Sequence, residues 1–271
     1  MVSGAQGRIF VGVGGWSFPP WRGTFYPPGL AQKRELAYAA QHLTSIEINA
    51  TFYRTQKQES FERWRDETPE GFVFSVKAPR YATNRPRLAE AGGSIERFFA
   101  SGVMALEDKL GPVLWQLPPS KRFHADDLAA FAALLPEAVG GRPVRHALEA
   151  RHRSFLDPGF VGLARAHRFA IVVAGDAMYP EIADLTAPFV YARIMGTTAA
   201  EPLGYPSAAL ELWASRARRW AAGEVPDGLA VLGEPPAEPP AGGRDVFLYV
   251  ISGEKERNPA AAMALIERLG S

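Results

Sequence analysis

Eight short apolar runs recur along this chain, beginning near residues 9, 45, 72, 113, 144, 169, 189 and 246, and segments of helical spacing separate most of them. Apolar runs of four to six residues with no polar alternation describe strands buried on both faces, which is the signature of parallel pairing with helices packed outside. Eight such units in 271 residues point to a single-domain α/β protein, a (β/α)8 TIM-like barrel, with a doubly wound open sheet as the competitor. The Gly12-Val-Gly-Gly15 segment lacks the glycine spacing of a dinucleotide-binding turn, and no P-loop is present.

The expected helices run over Glu35–His42, Ser60–Asp66, Ser94–Glu107, Asp126–Leu135, Asp157–His167, Ser207–Ala222 and from Asn258 to just before Gly270. Ser94 is the expected cap of the third, and Asp157-Pro158 places a capping carboxylate before a proline at the first helical position. The sixth unit is the weakest, because Pro180 to Pro188 leaves little room for a helix. Residues 1–8 are expected as a flexible tail and 9–271 as the barrel, with the Pro- and Gly-rich stretch 226–244 as a surface excursion.

The strands end in unusual company. Glu47 and Asn49, Lys77, Gln116, Glu149 with Arg151 and His152, Asp176 and Arg193 all fall at or just beyond the C-terminal ends of apolar runs. A parallel barrel gathers those ends into one mouth, and charge in such a place must be paired or used. Lys77, Arg151 and Arg193 suit the capture of phosphate, sulfate or carboxylate, as do Asn49 and Gln116 as polar contacts; a Schiff-base amine at Lys77, favoured by neighbouring cations, is an alternative that assumes more than phosphate binding does. Glu47, Glu149, His152 and Asp176 suit acid and base duty; the same four could hold a divalent metal, which is left open as a cofactor because no local metal motif decides it. Trp16, Trp21, Tyr26, Tyr53 and Trp115 offer flat faces for a sugar or a base, with core and lid packing as the competing reading; Trp16 and Tyr53 are taken as binding residues.

Composition narrows the chemistry. The chain has no cysteine, which removes disulfides, thiolate metal sites and cysteine nucleophiles. Thirty Lys and Arg against 29 Asp and Glu argue against a surface coated for nucleic acid, although a local basic cleft is compatible. No run approaches the length needed to cross a bilayer and the first residues lack the apolar core of a signal peptide, so a cytoplasmic protein without a membrane partner is expected.

Several separated motifs are shared with one family. Gly15-Trp16, Trp21-Arg-Gly23, Phe25-Tyr-Pro27, Glu47-Ile-Asn49, Thr51-Phe-Tyr53, Trp64, Phe72 through Lys77, Leu110 through Pro119 and Leu148-Glu-Ala-Arg-His152 with Ser154 resemble the YecE-like domain-of-unknown-function family over nearly the whole chain, about Ile9 to Leu269. The resemblance implies a TIM-barrel-like fold with a polar pocket at one barrel end and no established general reaction. Its recurrent polar positions fall on Glu47, Asn49, Tyr53, Lys77, Gln116, Glu149, Arg151, His152, Asp176 and Arg193. The chain departs from the family pattern at Asn84, at Met195 and at Ser252-Gly253, where two histidines and an asparagine-rich turn are usual. The expected function is binding of, and action on, a small anionic compound, a sugar or nucleotide phosphate among the candidates. Metal-assisted hydrolysis or isomerisation, and a non-catalytic barrel for nucleotide or nucleic acid, stand as alternatives.

Overall fold

A computed structural model describes residues 6–233 and 243–270; residues 1–5 of the expected tail, 234–242 of the expected excursion, and Ser271 lie outside it. Strands β1 Ile9–Gly14, β2 Ser45–Ile48, β3 Val73–Lys77, β4 Leu110–Gln116, β5 His146–Glu149, β6 Ala170–Gly175, β7 Phe189–Ile194 and β8 Asp245–Val250 pair in sequence order, and β8 closes on β1. Every neighbouring pair is parallel. This is the TIM-barrel-like architecture, a closed eight-stranded parallel barrel surrounded by helices.

The helices are α1 Glu35–Ala39, α2 Ala50–Tyr53, α3 Gln58–Asp66, α4 Arg80–Thr83, α5 Gly92–Ala100, α6 Ala125–Ala133, α7 Pro158–Ala166, α8 Ser207–Ala221 and α9 Asn258–Leu269. Their apolar faces join the outward faces of the strands in one core that includes Trp21, Trp115, Trp213 and Trp220. Asp157 caps α7 as its position demands, accepting a hydrogen bond from the Gly159 amide at 2.7 Å.

Two helix expectations need correction. The helix read as Ser94–Glu107 stops at Ala100, because Gly102 takes a left-handed φ of 101° and the chain continues as a tight 3-10 segment over Val103–Lys109. Ser94 does not cap it; its hydroxyl accepts from Arg85 instead, at 2.7 Å. As the crowding of prolines implied, no helix forms between β6 and β7. The first part of the 226–244 stretch is tied down, since Asp184 accepts from the amides of Leu232 and Gly233 at 2.9 and 2.8 Å. At the chain start, Gly7 and Arg8 donate to Ala221 and Asp245.

Inside the barrel a second cluster fills the lumen. Phe10 stacks on Phe247 at 5.0 Å between ring centres, Phe189 meets Phe247 edge-on at 6.0 Å, and Arg145 lies over the Phe247 ring at 4.8 Å. This aromatic floor closes the N-terminal end. Above it Tyr249 and Tyr191, 5.2 Å apart, share hydrogen bonds of 2.7 Å with Ser45 and Ser75 respectively. The C-terminal end carries the larger group of charged side chains.

Candidate functional site at the barrel mouth

Period-two alternation sends Glu47, Lys77, Gln116, Glu149 and Arg193 into the lumen from five strands or strand ends, one level above the tyrosines. Arg193 is the hub. Its Nε and Nη2 grip the two oxygens of Glu47, each at 3.0 Å, and its Nη1 reaches Glu149 Oε2 at 2.5 Å and Gln116 Oε1 at 3.5 Å. Tyr191 donates to Glu47 Oε2 at 2.7 Å. Glu149 is further held by Arg151 Nε, 2.8 Å from Oε1. Burial pushes Glu149 up, but Arg193 and Arg151 outweigh it and hold the carboxyl below its usual range, while burial pushes the Tyr191 phenol up. Such a network is stable only because both carboxylates are matched by guanidinium forks.

Lys77 stands apart from this pairing. It is 7% exposed, and its Nζ makes no hydrogen bond or ion pair among the described residues; it lies 4.0 Å above the Phe52 ring on α2. Its backbone is pinned, with Thr51 donating to its carbonyl at 2.7 Å. Burial, and next the charge of Arg193, lower its pKa to about 8 from 10.5. With Lys77 protonated, the mouth holds an ammonium and two guanidiniums against two carboxylates, so one positive charge is left without a counter-charge.

The remaining expected residues divide. Arg151 sits at the rim, its guanidinium 4.3 Å over the Tyr179 ring. Asn49 also lies at the rim, donating to the Glu47 carbonyl at 3.3 Å. His152 and Asp176 are not brought into the cluster. His152 Nδ1 accepts from the Ser154 amide at 3.1 Å and braces the loop after β5. Asp176, one residue past β6 with a φ of 55°, turns to accept from Trp213 Nε1 at 2.9 Å. Glu47, Glu149, His152 and Asp176 therefore do not converge, and among the described residues no three His, Asp or Glu side chains are grouped as a metal site. Trp21, Tyr26 and Trp115 are wholly buried packing residues; Trp115 donates to His146, whose pKa burial lowers to about 4.

Trp16 and Tyr53 line a groove of about 1150 Å³ that meets the mouth at Gly14 and Asn49 and runs outward between α1 and α3. This groove is therefore beside the charged lumen rather than in it. Trp16 is set edge-on against Trp64 at 5.1 Å, whereas Tyr53 is 68% exposed. The loop carrying Trp16 is fixed by Glu35, a buried carboxylate that the sequence reading passed over; it accepts from Ser17 at 2.6 Å and Arg22 at 2.8 Å. Ser45, Ser75, Tyr191 and Tyr249 were also missed. Each lies on a strand that carries a mouth residue or closes the barrel, and for three of them the signal was available: Ser45, Ser75 and Tyr191 stand two positions before Glu47, Lys77 and Arg193.

Among known proteins, the chain is 32% identical to the UPF0759 protein YunF of Bacillus subtilis (strain 168) over 157 residues, 56% of this chain and 54% of that one. It is 27% identical to the UPF0759 protein YecE of Escherichia coli (strain K12) over 151 residues, 56% of this chain and 51% of that one. The matched segments thus span about half the length of these relatives. A DUF72 family protein from Thermotoga maritima MSB8 has a similar fold, with a TM-score of 0.75 and 20% identity over 97% of this chain and 100% of that one. Among the described residues no helix is long and apolar enough to cross a membrane. The family described as "Protein of unknown function DUF72" matches residues 10–271, and the chain belongs to this YecE-like, UPF0759-type family.

Proposed function

We propose that this protein binds and acts on a small anionic molecule at the C-terminal mouth of its barrel, with Lys77 and Arg151 as the charged contacts. The observation that carries the reading is Lys77, a residue only 7% exposed whose Nζ meets no hydrogen-bond acceptor among the described residues. A cation largely stripped of water and given no protein acceptor is costly to hold, and a ligand carboxylate, phosphate or sulfate relieves that cost on binding. Arg151 adds a planar donor at the rim, where one face is already stacked on Tyr179. Glu47 and Glu149 are then the groups that hold the cations in place. The groove beyond Asn49, with Trp16, Tyr53, Lys33 and Arg54 along it, gives room for the rest of a sugar or nucleotide phosphate.

Calorimetric titration with inorganic phosphate, sugar phosphates and nucleotides tests this. At least one of these anions is expected to bind, and Lys77→Met or Arg151→Ala to weaken it about 10- to 100-fold, the range of one charge-assisted hydrogen bond. Equal affinity of every anion for wild type and both variants, or no binding at all, overturns the reading.

A further inference from the structure

We propose that Lys77 is a nucleophile as well as a charge, condensing through Nζ with the carbonyl carbon of an anionic aldehyde, ketone or 2-oxo acid to form a reversible imine. The inference rests on the anion-binding reading and adds a functional group to the ligand: a carbonyl beside the anionic group.

Lys77 differs from the other lysines in its surroundings. Lys109 donates to the Arg65 and Thr68 carbonyls at 2.6 Å, and Lys121 donates to the Pro86 carbonyl at 2.7 Å with Asp127 at 3.6 Å. Lys33 and Lys57 are exposed, and Lys255 lies over Phe18 at 4.2 Å where it lines the outer groove. Lys77 alone combines a lumen position with an Nζ that no protein oxygen holds. Its stem is buried and its carbonyl is anchored by Thr51, so the amine is presented at one height above the tyrosine layer. That is what a nucleophile requires: a fixed approach and a lone pair not occupied elsewhere.

The groups facing it fit the chemistry. Burial and the guanidiniums of Arg193 and Arg151 favour the neutral amine, and a pKa of about 8 leaves far more of it deprotonated near neutrality than an ordinary lysine has. Glu47 and Glu149 oppose them, favouring positive charge at Nζ. The two influences suit the two ends of one reaction, because the free amine must start neutral and the protonated imine ends positive at the same place. Phe52 supports that charge through its ring face. Arg151 is left for the ligand's carboxylate or phosphate.

In the step itself, the Nζ lone pair adds to the carbonyl carbon and the carbonyl oxygen becomes a hydroxyl. That oxygen has taken one of the two Nζ protons; the C–O bond then breaks as the hydroxyl takes up a further proton from solvent and leaves as water, and a protonated C=N–H bond remains between substrate carbon and Nζ. One water is released, nothing is oxidised or reduced, and hydrolysis returns the amine.

Borohydride trapping on the intact protein tests the inference, with pyruvate, glyoxylate and dihydroxyacetone phosphate as probes. At least one probe is expected to add a single reduced adduct per chain, mapped by peptide mass spectrometry to Lys77, with a rate half-maximal near pH 8. Lys77→Arg, which removes the nucleophilic amine, should trap nothing. Binding of a probe to wild type without an adduct at Lys77 overturns the imine and leaves the anion site standing. So does labelling spread over Lys33 and Lys57 that Lys77→Arg does not change. If neither the probes nor inorganic phosphate binds, both proposals fall together.

Discussion

Lys77 works against the fold that holds it. Its pKa falls from 10.5 in an ordinary lysine to about 8 here. Below about pH 8 it is protonated in both folded and unfolded chains, and folding bears the full cost of burying the charge. Between about 8 and 10.5 the unfolded chain binds the extra proton, so stability rises with pH across that window. Lys77→Met is therefore expected to stabilise the free protein at pH 7, by at most about 3 kcal/mol at 1.36 kcal/mol per pH unit, and to flatten the rise above pH 8. Urea unfolding at pH 7 and pH 10 measures it; a variant less stable than wild type at pH 7 contradicts the assignment of Lys77 as an unpaired cation. The residues of this cluster were partly legible in the sequence. Glu47, Lys77, Glu149 and Arg193 announce themselves as charges ending apolar runs. Tyr191, which completes the pairing of Glu47, looks like any core tyrosine until the alternation from Arg193 is followed back. Asp176 has the same sequence appearance as Glu47, but it falls one residue past its strand, and its left-handed backbone aims it at Trp213.

Among the elements, β6 shows how the outer layer supports the mouth. A Cβ on Gly175 would come within 2.3 Å of the Trp213 ring, so the glycine lets α8 lie flat on the strand just where the indole reaches Asp176. Gly175→Ala is expected to push Trp213 away, to lose its hydrogen bond with Asp176 and to cost about 1 to 3 kcal/mol, the usual range for overpacking a core. Thermal unfolding and the tryptophan emission of the variant check this, and an unchanged midpoint with unchanged emission would contradict it. Element type followed from apolar period and turn residues for all eight barrel strands. Boundaries did not follow as well. The stop at Gly102 depends on a backbone angle rather than on polarity, and the short antiparallel pair Ala138–Val139 with Arg142–Pro143 is too brief to leave a periodic trace around Gly140-Gly141. The β4 run is likewise longer than its apolar centre, because Gly111 and Pro112 are accommodated by a register shift against β3 between Phe74 and Val76.

For the molecule as a whole, closing the sheet turns scattered strand ends into one site. Residues as distant in sequence as Glu47 and Arg193 meet at 3.0 Å. A near-neutral chain with formal net charge +1 thus concentrates an excess cation where burial magnifies it. The account turns on the ionisation of that one ammonium, which can be followed directly by NMR of lysine side chains labelled with ¹⁵N and ¹³C. Lys77 is predicted to titrate with a midpoint of about 8 in the free protein and to move upward when a bound anion supplies the missing counter-charge. A midpoint near 10.5, unmoved by any anion that binds, would contradict it.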